Sequence, residues 1–213
     1  MIDDFDWDKE TNLLEKIRNQ IIEDENNIPP KVNAPDVKLP KIYLDMDGVI
    51  VDFEKAVRTV FRKKTGRSLK WNDKGMVAND KDESILIDVV RTTKQFWENL
   101  EWTNNGKKLF KFVRQYRPNI LSAFMNADLR SKRGKRVWLK QNIGMVKLGE
   151  INIVRRKEKP DFAVDYATKQ SNILIDDSLD NIRKFESAGG FGILHSDKNY
   201  RQTIRKLKEI GFE

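Results

Sequence analysis

The feature that most constrains the fold is a short apolar segment that leads directly into two carboxylates. Residues 41–44, Lys-Ile-Tyr-Leu, are typical of a buried strand, and Asp45-Met-Asp47-Gly48 follows without a break. Carboxylates at the end of an apolar strand are unfavourable unless a metal ion or hydrogen bonds compensate their charge. Glycine permits the sharp turn that comes next. The segment therefore predicts a reactive loop at the edge of a sheet.

The other apolar segments alternate between strand-like and helix-like patterns. The strand-like segments are residues 118–124, 151–154, 172–177 and 191–194, and the helix-like segments are residues 53–64, 106–116, 131–142, 179–187 and 201–210. This alternation predicts an α/β fold in which helices sandwich a mainly parallel sheet. In such folds the site lies beyond the carboxyl ends of the strands, where Asp45, Ser122 and Asp176 all arrive.

Two parts of the chain, residues 1–40 and residues 54–104, do not follow this alternation. Residues 1–24 have the periodicity of a helix, and residues 27–40 contain four prolines and predict an extended linker. Residues 54–104 are too long for a simple connection and predict a small helical insertion that includes a helix through residues 85–100. The predicted organisation is an N-terminal helix and linker over 1–40, a core formed by 41–53 and 105–213, and a helical cap over 54–104.

Composition excludes several classes of protein. The chain has 213 residues and no cysteine, which rules out disulfides and thiolate metal sites. No apolar run approaches the roughly 20 residues of a membrane span, and the N-terminus is acidic where a signal peptide would be basic. We therefore expect a soluble, cytoplasmic protein that does not associate with membranes.

The net charge of +8 is concentrated in one part of the chain. Residues 130–159 contain eleven basic and two acidic residues, a net charge of +9. A basic surface of this kind attracts phosphate groups, on a nucleotide or on a nucleic acid. A solvated surface that keeps the protein in solution is the alternative interpretation.

The three predicted strand ends supply the groups that phosphoryl transfer requires. They deliver one acidic pair, a hydroxyl and a second acidic pair, and the basic stretch adds a lysine. Carboxylates from two strands suit Mg²⁺, which prefers oxygen ligands. A hydroxyl and an ammonium can hold phosphate oxygens while one carboxylate attacks phosphorus and another transfers the proton. The sequence therefore predicts a phosphatase.

Four motifs, in order, resemble those of the haloacid dehalogenase superfamily of phosphohydrolases. They are Asp45-Met-Asp47-Gly48-Val, Ser122 after an apolar strand, Lys135 in a helix, and Ile-Asp176-Asp177. Longer segments resemble the 5'(3')-deoxyribonucleotidases and their phage and bacterial relatives, namely the run from Asp45 to Asp52-Phe53, Phe96-Trp-Glu-Asn-Leu-Glu101, and Gly134-Lys135-Arg-Val-Trp-Leu-Lys. The resemblance covers about residues 41–195 and implies a Rossmann-like core with a small cap.

The resemblance also implies an activity and a role for each acidic residue. It implies an Mg²⁺-dependent 5'(3')-(deoxy)ribonucleotidase that releases phosphate from nucleoside monophosphates through an aspartyl-phosphate intermediate. Asp45 would be the nucleophile and Asp47 the general acid and base. Mg²⁺ would be bound by the Asp45 carboxylate, the Asp47 main-chain carbonyl and Asp176, with Asp177 in support.

The same resemblance assigns the groups that bind substrate. Ser122 and Lys135 would hold the transferring phosphate, although Lys132 and Lys140 compete for the lysine role within the same basic helix. Phe53 would stack against the base, and a core position on the first helix is its alternative. Asp52 and Asp180 are interpreted as helix-end or surface carboxylates.

A second functional hypothesis uses the basic stretch. In it the chain is a nucleic-acid-binding protein or a polynucleotide 3'-end phosphatase, in which residues 130–159 follow a phosphate backbone. The N-terminal helix would then mediate assembly. The sequence leaves the oligomeric state open, a homodimer included.

Overall fold

The computed structural model of the protein describes residues 39–70, 77–144 and 147–213. The predicted N-terminal helix and most of the predicted linker fall within residues 1–38 and therefore lie outside the described residues. Within the described ranges, no helix has both the length and the apolar character needed to cross a membrane.

Five strands form one sheet in which every pairing is parallel. The strands are β1 (Ile42–Leu44), β2 (Asn119–Ala123), β3 (Ile151–Val154), β4 (Ile173–Asp176) and β5 (Phe191–Leu194). Their order across the sheet is β3-β2-β1-β4-β5. The predicted α/β fold with a parallel sheet is confirmed, and the strand that leads into Asp45 is the central one.

Helices cover both faces of this sheet. The α-helices of the described chain are α1 (Phe53–Thr65), α2 (Asp80–Thr92), α3 (Gly106–Val113), α4 (Arg130–Asn142), α5 (Leu179–Ser187) and α6 (Tyr200–Glu209). Short 3₁₀ helices span Arg114–Tyr116, Arg156–Phe162 and Asp197–Asn199. Ile42 and Leu44 of β1 belong to one core cluster, and Tyr43 belongs to a second cluster with Leu174 and Phe185. A strand buried on both faces is continuously apolar, which explains the run before Asp45.

Helix α1 begins immediately after the loop that carries the acidic pair. The side chain of Asp52 accepts a hydrogen bond of 3.0 Å from the amide of Lys55, and so caps the first turn. Gly66, with φ of 73°, ends the helix by donating its amide to the carbonyl of Arg62. The interpretation of Asp52 as a helix-end carboxylate is confirmed.

The helix predicted through residues 85–100 is too long at its C-terminal end. Helix α2 ends at Thr92, where the hydroxyl of Thr93 bonds the carbonyl of Val89 and Gln95 adopts a positive φ of 52°. Phe96 and Trp97 are nevertheless buried. Their helix-like spacing arises because a turn packs them into the core, and burial of a turn produces the same apolar pattern as a helix face.

Candidate active site

The carboxyl ends of β1, β2 and β4 bring the predicted site residues to one edge of the sheet. Asp45 directly follows β1, and its amide bonds the carbonyl of Ile175 in β4 at 3.0 Å. Ser122 is fully buried within β2, and Asp176 is the buried last residue of β4. Parallel strands end at the same edge, so residues far apart in the sequence become neighbours.

The loop after β1 is tightly folded around Met46. The carbonyl of Met46 accepts hydrogen bonds from the amides of Ile50 and Val51, at 2.9 and 2.8 Å. Gly48 has φ of 71°, and a Cβ atom placed there would lie 1.9 Å from Oδ2 of Asp177. Glycine is required at this position both for the backbone conformation and for the approach of the Asp177 carboxylate.

A buried lysine, Lys159, connects the predicted nucleophile to the second acidic pair. Its Nζ lies 2.6 Å from Oδ2 of Asp176 and 3.1 Å from Oδ2 of Asp45, and all three side chains are buried. Asp176 also accepts hydrogen bonds from the Asn181 side chain and the Ser178 amide. We call Asp45, Asp176 and Lys159 the Lys159 cluster.

Lys159 is the site residue that the sequence interpretation missed. In the sequence, Lys159 is one of eleven basic residues in the stretch 130–159, and nothing in that pattern distinguishes it from the others. The burial of Lys159 results from the 3₁₀ helix Arg156–Phe162, which turns this side chain inward while Arg155, Arg156 and Lys157 face solvent. The only local signal for its burial is that Lys159 precedes Pro160 and Phe162 in this short helix. That signal is too weak to identify a buried lysine from the sequence.

A second buried lysine, Lys135, contacts the other member of the acidic pair. Its Nζ donates hydrogen bonds to Oδ2 of Asp47 at 2.6 Å, to Oγ of Ser122 at 2.9 Å and to the carbonyl of Ala123 at 2.7 Å. We call Asp47, Ser122 and Lys135 the Lys135 cluster. The predicted phosphate-binding pair thus lies together beside the predicted general acid.

The two competing lysines of helix α4 do not reach the site. The Nζ atom of Lys132 lies 4.0 Å from the ring centroid of Phe124, and Lys140 is exposed. Close packing explains the glycine next to Lys135, because a Cβ atom at Gly134 would lie 2.2 Å from Cβ of Trp97. Among the three candidates, geometry places Lys135 alone beside the acidic pair.

The pKa values of the two carboxylates in the first motif shift in opposite directions. Burial alone would raise the pKa of Asp45, but Lys159 and Lys135, with a contribution from the Ser122 hydroxyl, lower it overall. Burial also raises the pKa of Asp47, and the negative charge of Asp45 adds to this, while Lys135 only partly offsets the rise. The environment therefore favours the ionised form of Asp45 and makes Asp47 a weaker acid than a free aspartate.

Three carboxylates form a cluster suited to a divalent cation. One oxygen from each of Asp45, Asp176 and Asp177 lies within 4.8 Å of the others. Oδ1 of Asp45 and of Asp47 is buried without a hydrogen-bond partner among the described residues. Burial and the neighbouring carboxylates raise the pKa of Asp177 to about 7. Clustered oxygen donors with unsatisfied atoms fit a divalent cation, and Asp177 is itself a member of the cluster, whereas the family resemblance implies only a supporting role for it.

An aromatic group borders the Lys135 cluster. Phe53 stacks on Trp97 with ring centroids 5.4 Å apart and meets Phe96 edge-on at 6.1 Å. Nζ of Lys135 is 5.8 Å from the Trp97 ring centroid, and Nε1 of Trp97 donates to Oδ2 of Asp128 at 3.0 Å. Trp97 and Phe96 are buried, whereas Phe53 is only half-buried. The predicted base-stacking residue therefore packs on the core and also keeps part of its ring accessible.

Two further titratable residues, one aspartate and one histidine, lie outside these clusters. Asp180 is exposed and pairs with Lys184 at 2.7 Å, in agreement with its interpretation as a surface carboxylate. His195 follows β5, is buried, and bonds the Thr203 hydroxyl through Nδ1. Burial lowers the pKa of His195 to about 4, so this side chain is neutral at physiological pH.

Comparison with known proteins identifies the family of the chain and its fold. A family profile described as 5' nucleotidase, deoxy (pyrimidine), cytosolic type C protein matches residues 39–208. No curated protein sequence matches the chain. The family match covers every residue of the two lysine clusters and of the carboxylate cluster.

Solved structures with the same fold include hydrolases, some of which are described as haloacid dehalogenase-like. One from Xanthomonas campestris has a TM-score of 0.52 and 13% identity, and the match covers 84% of this chain and 97% of that one. A hydrolase from Streptococcus pneumoniae TIGR4 has a TM-score of 0.51 and 14% identity, with 79% and 99% covered. The hydrolase YfnB from Bacillus subtilis, solved bound to magnesium, has a TM-score of 0.50 and 14% identity, with 78% and 98% covered.

Proposed function

The chain belongs to the family of 5' nucleotidase, deoxy (pyrimidine), cytosolic type C proteins, which are phosphoric monoester hydrolases, and from this premise we propose that it releases phosphate from nucleoside monophosphates. The observation that carries the proposal is the pairing of Asp45 and Asp47, each with its own buried lysine and with pKa values shifted in opposite directions. A cytoplasmic location is part of the proposal, since the family description refers to cytosolic proteins.

In the first step, Asp45 attacks the phosphate. A carboxylate oxygen of Asp45 forms a bond to phosphorus while the bond from phosphorus to the ester oxygen breaks. Asp47 gives its proton to the departing oxygen, so the nucleoside leaves as a neutral alcohol. The lowered pKa of Asp45 supports its role as an ionised nucleophile, and the raised pKa of Asp47 supports its role as the acid.

In the second step, water hydrolyses the aspartyl-phosphate. Asp47, now a carboxylate, takes a proton from water as the water oxygen bonds to phosphorus. The bond from phosphorus to Asp45 then breaks, which regenerates the Asp45 carboxylate and releases inorganic phosphate. Ser122 and the ammonium groups of Lys135 and Lys159 can hold phosphate oxygens through both steps, because all three groups already converge on the acidic pair.

Asp45, Asp176 and Asp177 would hold the divalent cation, and Mg²⁺ is the ion we propose. When bound, it supplies positive charge that neutralises phosphate oxygens. Lys159 lies between two of these carboxylates, where its ammonium group contacts both and offsets part of their negative charge. Asn181 fixes the orientation of Asp176 by donating to its carboxylate.

Phe53 would form one wall of the site for the nucleoside. Its ring is supported from behind by Trp97, and the same tryptophan borders Lys135, so the accessible aromatic surface lies near the phosphate-binding groups. Stacking on an aromatic ring is favourable for every base, which leaves the base preference open to other contacts.

The deciding experiment is a substrate panel measured in the presence of magnesium. It contains 5' and 3' monophosphates of ribonucleosides and deoxynucleosides, with p-nitrophenyl phosphate as a substrate that lacks a nucleoside, and Asp45→Asn as the inactive control. We expect nucleotides to be preferred over p-nitrophenyl phosphate, and Phe53→Ala to raise KM for nucleotides only. Equal turnover of all phosphomonoesters, or none of nucleotides, would overturn the proposal.

A further inference from the structure

An open basic cavity of about 560 Å³ lies on the surface of the described part of the chain. It is lined by one amide and four cationic side chains, namely Asn126, Arg155, Arg156, Lys157 and Lys184. Among the residues that the structure describes, no carboxylate lines it. The steps proposed above use none of these side chains.

The walls of this basic cavity come from the same segments that build the active site. Asn126 lies in the loop that follows Ser122, and Arg155 directly follows β3, whose last residue pairs with Ala123. Arg156 and Lys157 open the 3₁₀ helix that also carries Lys159. Four of the five lining residues therefore follow the carboxyl ends of β2 and β3, at the edge of the sheet that carries the candidate site, and Lys184 reaches the cavity from α5.

The cations of the cavity differ in whether they are already paired. Arg155 lies 3.7 Å from Glu158, and Lys184 lies 2.7 Å from Asp180. Arg156 and Lys157 are exposed and have no ion-pair partner within residues 39–70, 77–144 and 147–213. Exposed, unpaired and adjacent cations in a concave surface favour a polyvalent anion, which exchanges weakly held counterions for one ligand.

We propose that the basic cavity binds a second phosphate group of the substrate, so that doubly phosphorylated nucleotides or the phosphorylated end of a nucleic acid strand are preferred over simple monophosphates. This inference rests on the proposed function, in which the first phosphate occupies the Lys135 and Lys159 clusters. Doubly phosphorylated nucleotides and phosphorylated strand ends share the same feature. Each carries one phosphate that can be released and a second phosphate nearby. Arg156 and Lys157 contribute the unpaired charge, and Asn126 a neutral polar contact.

The test compares a variant of the cavity with a matched variant elsewhere. The cavity variant is Arg156→Ala with Lys157→Ala, and the control is Arg62→Ala with Lys63→Ala, which removes another adjacent, exposed Arg-Lys pair from the end of α1. For each, kcat/KM is measured on a deoxynucleoside 5'-monophosphate, a deoxynucleoside 3',5'-bisphosphate and a short oligothymidylate with a 3'-phosphate. The preference ratio of each larger substrate over the monophosphate is the readout.

We expect the cavity variant to lower the preference ratio at least about fivefold, mainly through KM, and the control to leave it unchanged. A fall for both larger substrates supports the second-phosphate site on free nucleotides and strands alike, and a fall for the oligonucleotide alone assigns it to nucleic acid. Unchanged ratios overturn the inference while the proposed function stands. If the wild-type protein releases phosphate from none of the nucleotides, the proposed function itself fails.

A direct binding measurement separates this effect from catalysis. In the Asp45→Asn background, fluorescence anisotropy follows binding of a labelled oligothymidylate at increasing salt. Loss of two phosphate contacts should reduce the slope of log K against log salt by about 1.4 for a single strand. A slope that is the same with and without the Arg156 and Lys157 substitutions contradicts the proposed site.

Discussion

The Lys159 cluster and the Lys135 cluster shift the pKa values of the two carboxylates of one motif in opposite directions. Asp45 lies beside Lys159 and within the influence of Lys135, and the two cations lower its pKa despite burial. Asp47 contacts Lys135 but also faces the charge of Asp45, and its pKa is raised. Burial is common to both residues, so the balance of neighbouring charges decides which of the two has the lower pKa.

The largest effect should come from neutralising each carboxylate in turn. Asp45→Asn removes the nucleophile, and we expect kcat to fall at least about a thousandfold. Asp47→Asn removes proton transfer, which contributes about a hundredfold to ten-thousandfold, and the phosphoenzyme should still form from substrates with good leaving groups. Burst kinetics with p-nitrophenyl phosphate distinguish the two variants. A burst in Asp45→Asn would refute the assignment.

Removal of each lysine should affect stability unequally. Lys159→Met leaves Asp45 and Asp176 buried without their cation, and such a change costs about 3 kcal/mol of unfolding free energy in metal-free protein. Lys135→Met should lower the unfolding free energy by less, because the side chain of its partner Asp47 is 31% exposed and water can solvate it. Urea unfolding in the presence of a chelator measures both. The comparison fails if the Lys135 variant is the less stable of the two.

Magnesium should restore part of the stability lost in the Lys159 variant, because a cation in the carboxylate cluster compensates the same charges. It should do little for the Lys135 variant, whose unpaired carboxylate belongs to Asp47 and lies outside that cluster. The matched measurement is urea unfolding with magnesium in place of chelator. Equal rescue of both variants would contradict a metal site built from Asp45, Asp176 and Asp177.

The pH dependence should separate Asp177 from both lysine clusters. Because its folded pKa is raised to about 7, Asp177 contributes stability that is present below its unfolded pKa and is lost as the pH rises through about 7. In metal-free protein, the unfolding free energy of wild type minus that of Asp177→Asn should therefore fall between about pH 5 and about pH 8. The difference cancels the opposing titration of His195, which is common to both proteins.

The stabilisation that magnesium gives should increase with pH, in contrast to the contribution of Asp177 in metal-free protein. Protons compete with the cation for Asp177, so the rise in Tm that magnesium produces should be larger at about pH 8 than at about pH 6 in the wild type. In Asp177→Asn the rise should be smaller and nearly independent of pH. Identical magnesium effects at both pH values in the wild type would show that Asp177 does not bind the ion.

The smallest expected effect concerns the aromatic side of the Lys135 cluster. Asp128 accepts the indole hydrogen bond of Trp97 and also pairs with Arg130. Asp128→Ala should raise KM for nucleotides about threefold without changing KM for p-nitrophenyl phosphate, because it frees the ring that supports Phe53. Trp97→Phe removes the same hydrogen bond, so a double-mutant cycle should be non-additive. Additive effects would show that Asp128 does not position Trp97.

Local sequence patterns were sufficient for the sheet and for most of the site. The apolar runs before Asp45, Ser122 and Asp176 predicted three strands of a parallel sheet, and a parallel sheet requires their ends to meet. Asp52 was recognisable as a cap because it directly precedes a helical pattern. The end of α2 could not be predicted, since Phe96 and Trp97 have helical spacing although they pack from a turn.

The sequence by itself determined the acidic loop, the three strands that supply the site, and the kinds of side chain available for phosphate chemistry. Only the tertiary structure decided which lysines lie beside the acidic pair. Lys132, Lys135, Lys140 and Lys159 are chemically identical and lie in one basic stretch, but packing buries Lys135 beside Asp47 and Lys159 beside Asp45. Burial and charge distance set the strength of each ion pair, and both are properties of the folded chain.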